Sequence, residues 1–149
     1  MSNNHGDIVI EAPAGYKWDE GTLTKITYVA EAGDVKYESL QKAIDAAKSK
    51  AVVTMLADTR ENVTISKALT LDLNGFTLNG STGERKAALK VDNATVTVMD
   101  SSANQTGTIK REDVEDPNVT GSNSYYVIDI QGGNGLLIFE GGNVTDTSG

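Results

Sequence analysis

The 149-residue sequence has no cysteine and a single histidine, His5. Without cysteine the chain forms no disulfide, has no thiolate nucleophile and offers no thiolate ligand to zinc. His5 lies in the opening segment M-S-N-N-H-G, which we interpret as a tag remnant. The rest of the chain therefore has no imidazole for a Ser-His-Asp triad or for a histidine zinc site. We therefore predict no catalytic residue, no cofactor-binding residue and no metal ligand.

Basic residues are also scarce. Thirteen Lys and Arg residues stand against 21 Asp and Glu residues, so the formal net charge is -8. Nucleic acids and anionic membrane surfaces select basic patches, and we expect neither as a partner. The apolar runs are only a few residues long, whereas a transmembrane helix needs roughly twenty. The sequence therefore predicts no membrane insertion.

In place of these features the sequence has a repeated strand pattern. Residues 61–80, E-N-V-T-I-S-K-A-L-T-L-D-L-N-G-F-T-L-N-G, alternate apolar with polar residues in three segments, as expected of strands with one buried face. Asn74-Gly75 and Asn79-Gly80 suit corners where the backbone visits positive φ. The unit recurs in residues 88–110 and 127–145. This repetition predicts a chain that coils on itself as a parallel β-helix.

One segment before the first unit has helical periodicity. Ser39 is a suitable N-cap, and a helix is predicted from about Ser39 to Lys48. Its apolar residues follow at i, i+3, i+4 and i+7: Leu40, Ala43, Ile44 and Ala47. Because the first coil would otherwise expose its apolar interior, we expect this helix to lie across that end, against Leu56 or its neighbours.

A hairpin is predicted before the helix, from strands at residues 25–31 and 35–37 around Ala32-Gly33-Asp34. The predicted fold is mainly β, a short right-handed parallel β-helix of about three coils with an N-terminal β-hairpin and an N-terminal capping α-helix. The opening M-S-N-N-H-G resembles a tag remnant, so residues 1–24 are expected to be a chain start and a linker from a preceding module. Residues 25–149 are expected to be the N-terminal part of a β-helix module from a larger protein.

Two neighbouring residues test the strand register. Alternation predicts that Leu71, in the middle of the first coil, is fully buried, and that Asp72 faces solvent. A longer segment, residues 111–124, has acidic residues, Pro and Gly but no core pattern. It is expected to be an excursion from a corner, where binding surfaces are commonly placed.

Several residues are candidates for a site. Tyr16 and Trp18 suit either a sugar-stacking platform or an aromatic cluster that closes one end of the core, and the second interpretation is favoured. Gly132–Gly135 suits either a phosphate-binding loop or a β-turn, and no predicted helix follows to bind an anion. Acids that suit either calcium or solvent-facing corners are Asp92, Asp100, Asp113, Asp116 and Asp129. None of them falls into a known calcium-loop pattern. N-x-[ST] triplets begin at Asn62, Asn79, Asn93, Asn104, Asn118 and Asn143.

Residues 28–47, Y-V-A-E-A-G-D-V-K-Y-E-S-L-Q-K-A-I-D-A-A, then V-T-M-L-A-D and L-T-L-D-L-N-G-F-T-L-N-G, resemble the opening module of pectin-lyase-like β-helix domains. Such modules recur in large secreted surface proteins of Gram-positive gut bacteria. The resemblance spans residues 28–145 and implies the architecture more than an activity. Polysaccharide lyases of this fold carry calcium-binding acids and a catalytic Arg or Lys on one parallel sheet, whereas Arg60, Arg85 and Arg111 are expected here in turns or excursions.

The resemblance implies an extracellular or cell-surface location. The function expected is that of a non-catalytic module, which acts as a structural spacer, an adhesive or a glycan-contacting element. The alternative is the N-terminal part of a polysaccharide lyase or glycoside hydrolase. Expected partners are carbohydrate or a host or cell-wall surface, together with self-association through an uncapped C-terminal end.

Overall fold

The computed structural model describes residues 11–112 and 126–147. In these residues the chain is mainly β, and three of its four sheets are built on parallel strands. The strands are β1 (Tyr16–Asp19), β2 (Thr22–Lys25), β3 (Ala30–Ala32), β4 (Val35–Tyr37), β5 (Val52–Met55), β6 (Thr59–Arg60), β7 (Val63–Ile65), β8 (Leu69–Asp72), β9 (Thr77–Asn79), β10 (Leu89–Asp92), β11 (Thr95–Met99), β12 (Thr108–Arg111), β13 (Ile128–Gln131), β14 (Leu136–Phe139) and β15 (Asn143–Asp146). One helix, α1 (Leu40–Ala46), lies between β4 and β5 in the described chain.

Each parallel sheet takes one strand from each of three successive repeats. The first repeat contains β7, β8 and β9, the second contains β10, β11 and β12, and the third contains β13, β14 and β15. Sheet 1 has the order β13-β10-β7, sheet 2 begins β14-β11-β8, and sheet 3 begins β15-β12-β9. The three strand-rich units predicted from alternation are therefore confirmed as three strand triplets.

The strands pair in a register that stacks like positions of successive repeats. In sheet 2, Val98 of β11 lies between Leu71 of β8 and Phe139 of β14. Leu71 and Val98 are completely buried, which confirms the prediction for Leu71. Since burial of one such side chain stabilises a fold by about 1.5 to 3 kcal/mol, these columns supply much of the stability.

In sheet 2 the strand direction changes between β5 and β3. β5 pairs in parallel with β8, whereas β3 pairs antiparallel with both β5 and β4. The hairpin predicted around Gly33 is confirmed, and Gly33 adopts a φ of 62°. The single strand predicted over residues 25–31 is wrong, because β2 ends at Lys25 and β3 begins only at Ala30. Lys25 belongs instead to β2, which forms a two-stranded hairpin with β1. Except for Lys25 itself, the strands of this hairpin lie within the predicted linker, residues 1–24.

α1 is fixed at both ends by charged side chains from the first repeat. Ser39 is the N-cap as predicted, and the Glu61 carboxylate accepts hydrogen bonds from the backbone N–H groups of Leu40 (2.8 Å) and Gln41 (3.1 Å). At the other end, the Lys67 ammonium donates to the Asp45 carbonyl at 3.0 Å and to the Ala47 carbonyl. This placement of charges complements the helix dipole. The helix ends at Ala46, before the predicted Lys48, because Ala47 is extended with ψ of 141°.

One face of α1 is buried against the strands. Leu40, Ala43 and Ile44 are buried, and the helix contacts β3, β4, β5 and β7. The Gln41 amide pairs with the edge strand β7 as a further strand would, because it accepts from the Thr64 N–H (2.8 Å) and donates to the Thr64 carbonyl (3.0 Å). The helix therefore lies against the β7 edge of sheet 1.

Asp72 does not face solvent, so that prediction is wrong. Its side chain is buried, and its Oδ1 accepts from the backbone N–H groups of Asn74 and Ser101, both at 2.9 Å. The alternation argument fails here because the chain turns immediately after β8. At Asn74 (φ 47°) and Gly75 (φ 81°) the predicted positive φ is confirmed.

The second predicted corner, Asn79-Gly80, has a different explanation. Asn79 ends β9, and neither residue adopts a positive φ. A Cβ at Gly80 would lie 2.5 Å from the Ala88 Cα. Gly80 is therefore required by the close approach of the first and second repeats.

Candidate functional site: a polar groove on sheet 3

The outer face of sheet 3 carries a groove of about 350 Å³ lined by Asp58, Thr59, Arg60, Thr77, Asn79 and Lys110. Its centre is one column of the sheet. Arg60 of β6 pairs with Asn79 of β9, which pairs with Lys110 of β12. Three strands that are distant in sequence thus place two cations and an amide side by side.

Glu112 is the anion that balances this column. Its carboxylate accepts from the Lys110 ammonium at 2.6 Å and from the Asn79 amide at 3.3 Å. The hydrogen bonds from Lys110 and Asn79 lower the pKa of Glu112 below its ordinary value, and the Lys110 charge acts in the same direction. Glu112 is therefore ionised at neutral pH and holds Lys110 in the groove.

Ser81 holds the same residues in place through hydrogen bonds. Its backbone N–H donates to the Asn79 Oδ1 at 2.9 Å, and its carbonyl accepts from the Arg60 guanidinium at 3.0 Å. Its hydroxyl contacts the Glu112 backbone, at 2.8 Å to the carbonyl and 2.6 Å to the N–H. Because Arg60 is exposed and Ser81 is buried, the arrangement presents a guanidinium to solvent on a rigid support.

The groove can donate several hydrogen bonds to a ligand. Arg60 and Lys110 suit carboxylates or hydroxyl groups, and Thr77 and Asn79 suit hydroxyl groups. Asp58 is already engaged, because its Oδ1 accepts from the Thr77 N–H at 2.8 Å. The residues that line the groove include no aromatic side chain, so a sugar ring would be held here by hydrogen bonds.

Two of the three arginines do not lie where they were predicted. Arg60 lies in β6 and Arg111 in β12, whereas Arg85 lies in a bend as expected. Arg111 is buried, and its guanidinium donates to the carbonyls of Lys86 (3.1 Å) and Glu84 (2.7 Å). Arg111, the first residue of the excursion predicted over residues 111–124, thus lies in a strand, and residues 113–125 lie outside the described chain.

Tyr16 and Trp18 do not close the core. They lie two residues apart in β1 and are 42% and 48% exposed, so the interpretation as a core cluster is wrong. Leu23 of β2 lies directly opposite Trp18, and Lys25 lies opposite Tyr16. From the other face of β1, Lys17 forms a 2.6 Å ion pair with Glu38. The aromatic pair thus belongs to a separate two-stranded sheet and does not line the groove.

The three acids considered for calcium that the structure describes, Asp92, Asp100 and Asp129, do not converge. Asp100 is buried and is used by the backbone: Oδ1 accepts from Gly75 (2.9 Å) and Ser102 (3.0 Å), and Oδ2 accepts from Gly107 (2.6 Å). Asp92 and Asp129 lie on β10 and β13, where their register partners are Gln131 and Lys90. Within the described chain no group of three His, Cys, Asp or Glu side chains is placed to hold a metal ion. Asp113 and Asp116 lie outside the described residues, as does His5.

Gly132–Gly135 forms a turn and not a phosphate-binding loop. The Gly135 N–H donates to the Gly132 carbonyl at 3.1 Å, and the strand β14 follows directly. Of the residues that begin N-x-[ST] triplets, Asn79 is buried in the groove, Asn143 is exposed in β15, and Asn118 lies outside the described residues.

Sheet 1 has a smaller groove, of about 240 Å³. Lys90 of β10 lies between Thr64 of β7 and Asp129 of β13, and Asn62 and Gln131 lie nearby. The cation at its centre has an acid in register beside it. The Lys110 cation of the sheet 3 groove likewise has an acid beside it, Glu112, so the two grooves do not differ in this respect.

Sequence reasoning missed the groove on sheet 3, although a signal was present. Alignment of T-R in β6, L-N in β9 and I-K in β12 would have placed Arg60, Asn79 and Lys110 in one column. The seven-residue α1, the helix of the described chain, is too short to cross a membrane.

Comparisons of the chain with protein-family models, with curated proteins and with solved structures find no match.

Proposed function

We propose that this chain is a non-catalytic module of a bacterial cell-surface or secreted protein, with the fold of a short right-handed parallel β-helix. The observation that carries the proposal is the parallel stacking of the three repeats in sheets 1, 2 and 3, with apolar columns inside. Such a body is rigid and extends by repetition, which suits a spacer that presents its outer faces to a surface.

The proposed β-helix has a cap at its N-terminal end. α1 lies against β7, and β3 and β4 continue sheet 2 beyond β5. Ile44 is 1% exposed, so Ile44→Asp would put a charge against the apolar interior. We expect this variant to aggregate.

The matched control for the cap is Ala46→Asp, which adds the same charge on the exposed side of the same helix. We expect it to stay monomeric and folded by circular dichroism and light scattering. An Ile44→Asp protein that remains monomeric with an unchanged melting temperature would contradict the cap.

The outer face that we propose for glycan contact is the groove on sheet 3. Arg60 and Lys110 are held at fixed positions by Ser81 and Glu112, and together they suit the carboxylate and hydroxyl groups of an acidic polysaccharide. The binding expected is weak, because the groove is open and its lining has no aromatic ring.

The test is retention on immobilised polysaccharides, both uronate-containing and neutral. We expect uronate-containing polymers to retard the protein, Arg60→Ala and Lys110→Ala each to reduce the retardation, and the exposed Lys36→Ala on β4 to leave it unchanged. Equal loss in all three variants would mean a nonspecific charge effect. No retention on any polymer would leave the spacer role and overturn the glycan role.

The rival function is the N-terminal part of a polysaccharide lyase or glycoside hydrolase. The observation that favours it is the presence of Arg60 and Lys110 on one parallel sheet, with Asp58 at the edge of the same groove. Incubation with the same polymers, with and without calcium, separates the two ideas. New unsaturated or reducing ends that are lost in Arg60→Ala would establish the enzyme and overturn the non-catalytic module.

A further inference from the structure

β14 departs from the polar pattern on the outer face of sheet 2. In the second repeat the outward positions Thr95 and Thr97 are in register with Leu136 and Ile138 of the third. Leu136 is 51% exposed and Ile138 is 41% exposed. A further repeat with threonines at these positions, as in the second repeat, would give Leu136 and Ile138 only polar neighbours on the outer face. The two apolar side chains therefore favour a neighbouring strand whose own outer residues are apolar.

β14 is also an edge strand. It ends the six-stranded sheet, and only its β11 side is paired among the described strands. Natural edge strands usually carry a lysine, a proline or a short length to prevent pairing with another chain. The four residues of β14, L-L-I-F, include no lysine and no proline, so the strand has only its short length as protection.

The opposite edge of the same sheet is protected. β4 has the sequence V-K-Y, with Lys36 in its middle and Asp34 and Glu38 at its flanks. A head-to-tail contact of β14 with β4 of another copy would bury these charges and would extend into a filament. A contact of β14 with its own copy avoids them and closes after two chains.

We propose that two copies of this chain associate about a twofold axis by antiparallel pairing of their β14 strands. Inner and outer faces must match across the pair, because directly opposite residues of an antiparallel pair lie on the same face of the sheet. Every register centred on a residue satisfies this condition, and the one centred on Leu137 also pairs the two outer apolar positions with each other. It places Leu136 opposite Ile138 of the second copy and Phe139 opposite Gly135, so that the aromatic ring covers the glycine.

The charge of the third repeat sets the salt dependence of this contact. Residues 126–147 contain Asp129, Glu140 and Asp146 and no Lys or Arg. Two copies that meet at β14 bring these acids closer together. Since salt screens repulsion between exposed charges, the dimer becomes tighter as ionic strength rises.

The experiment is sedimentation or light scattering of the full 149-residue chain over a range of concentrations at low and high salt. The mass is expected to rise with concentration from the 15.8 kDa of one chain to twice that value and no further, at lower concentration in high salt. A monomer under all conditions would overturn the proposal. A mass that continues to rise past two chains would do so as well.

Two variants locate the contact. Ile138→Lys puts a charge on the outer face of β14, and Leu136→Thr with Ile138→Thr restores the threonines of the second repeat at the same positions. Both are expected to remain folded by circular dichroism and to lose the dimer. The control is Val35→Lys, which adds the same charge at a 53% exposed position of the β4 edge, and it is expected to keep the dimer.

A direct check uses Leu137→Cys, which provides the only thiol of the chain. Mild oxidation is expected to join two copies through this residue, whereas Val35→Cys is expected to stay uncrosslinked. A dimer that survives Ile138→Lys, or that is lost in Val35→Lys, would place the contact elsewhere and overturn the proposal. The outcome is independent of glycan binding, because the groove on sheet 3 shares none of these residues.

Discussion

The two ends of the repeat stack have the same strand pattern and different exposure. At the N-terminal end, Val53 and Met55 of β5 are completely buried because β3 and α1 cover them. At the C-terminal end, Phe139 and Val144 occupy the same kind of inward column and are 41% and 45% exposed. The difference teaches that alternation selects the inward residues, whereas burial depends on a neighbour at each side of the repeat.

The largest effect is expected for Leu71→Ala. Leu71 lies inside the stack with Val53 on one side and Val98 on the other. Removal of its buried side chain leaves a cavity and should lower the free energy of unfolding by about 2 to 5 kcal/mol. Chemical denaturation measures this value.

Phe139→Ala is the matched variant in the same column of the third repeat. It removes a larger side chain, but that side chain is already partly in solvent, so the expected loss is clearly smaller than for Leu71→Ala. Both are measured at a concentration where the chain is monomeric. If Phe139→Ala costs as much as Leu71→Ala, the contrast between the two ends is wrong.

The second prediction compares a corner acid of the second repeat with a strand acid of the third. Asp100→Ala leaves the N–H groups of Gly75, Ser102 and Gly107 without their acceptor, at a cost of roughly 1 to 3 kcal/mol. Asp129→Ala removes a side chain whose hydrogen bond is to the exposed Gln131 amide, and we expect little change. Equal losses of unfolding free energy in the two variants would contradict the structural role of Asp100.

The Asp100 effect should also depend on pH. Burial alone would raise the pKa of this carboxyl, but the hydrogen bonds from Ser102, Gly107 and Gly75 outweigh burial and lower the pKa below its ordinary 3.8. A lowered pKa in the folded state means stabilisation that is complete above the ordinary value and is lost as pH falls through the folded value. The melting temperatures of wild type and Asp100→Ala should therefore approach each other below about pH 4.

A smaller effect is expected at the N-terminal end, where α1 packs against the strands. Glu61→Ala removes the carboxylate that accepts from Leu40 and Gln41 at the start of α1, and should cost about 0.5 to 2 kcal/mol, as for other helix caps. Lys42→Ala, on the exposed side of the helix, is the control, and we expect its melting temperature to match wild type. Equal melting temperatures for Glu61→Ala and wild type would show that α1 does not depend on this cap.

Much of the sheet structure could be predicted because alternation and Asn-Gly corners are local signals. Leu71, the three repeats and the Gly33 hairpin are of this kind. The prediction that Asp72 faces solvent was wrong because its environment is set by Ser101, which belongs to the next repeat. The interpretation of Tyr16 and Trp18 as a core cluster was based on the usual burial of aromatic residues. It was wrong because the sequence does not indicate which face of a hairpin contacts the rest of the protein.

The candidate site could not be predicted from local signals. Arg60 and Lys110 are fifty residues apart, and only the register of β6, β9 and β12 brings them to one groove. Glu112, which holds Lys110, follows β12 at the start of a segment that has no core pattern. Register between strands is a long-range property, so it requires the fold and not the pattern of any one strand.

The in-register parallel stacking of the repeats is tested most directly by a pair of introduced cysteines, since the chain has none of its own. Thr70 of β8 and Thr97 of β11 are register partners on the outer face of sheet 2. We predict that Thr70→Cys with Thr97→Cys forms an intramolecular crosslink under mild oxidation, whereas Thr70→Cys with Thr95→Cys, displaced by two residues along β11, does not. Equal crosslinking in the two proteins, or a crosslink only in the second, would contradict the register on which the whole account depends.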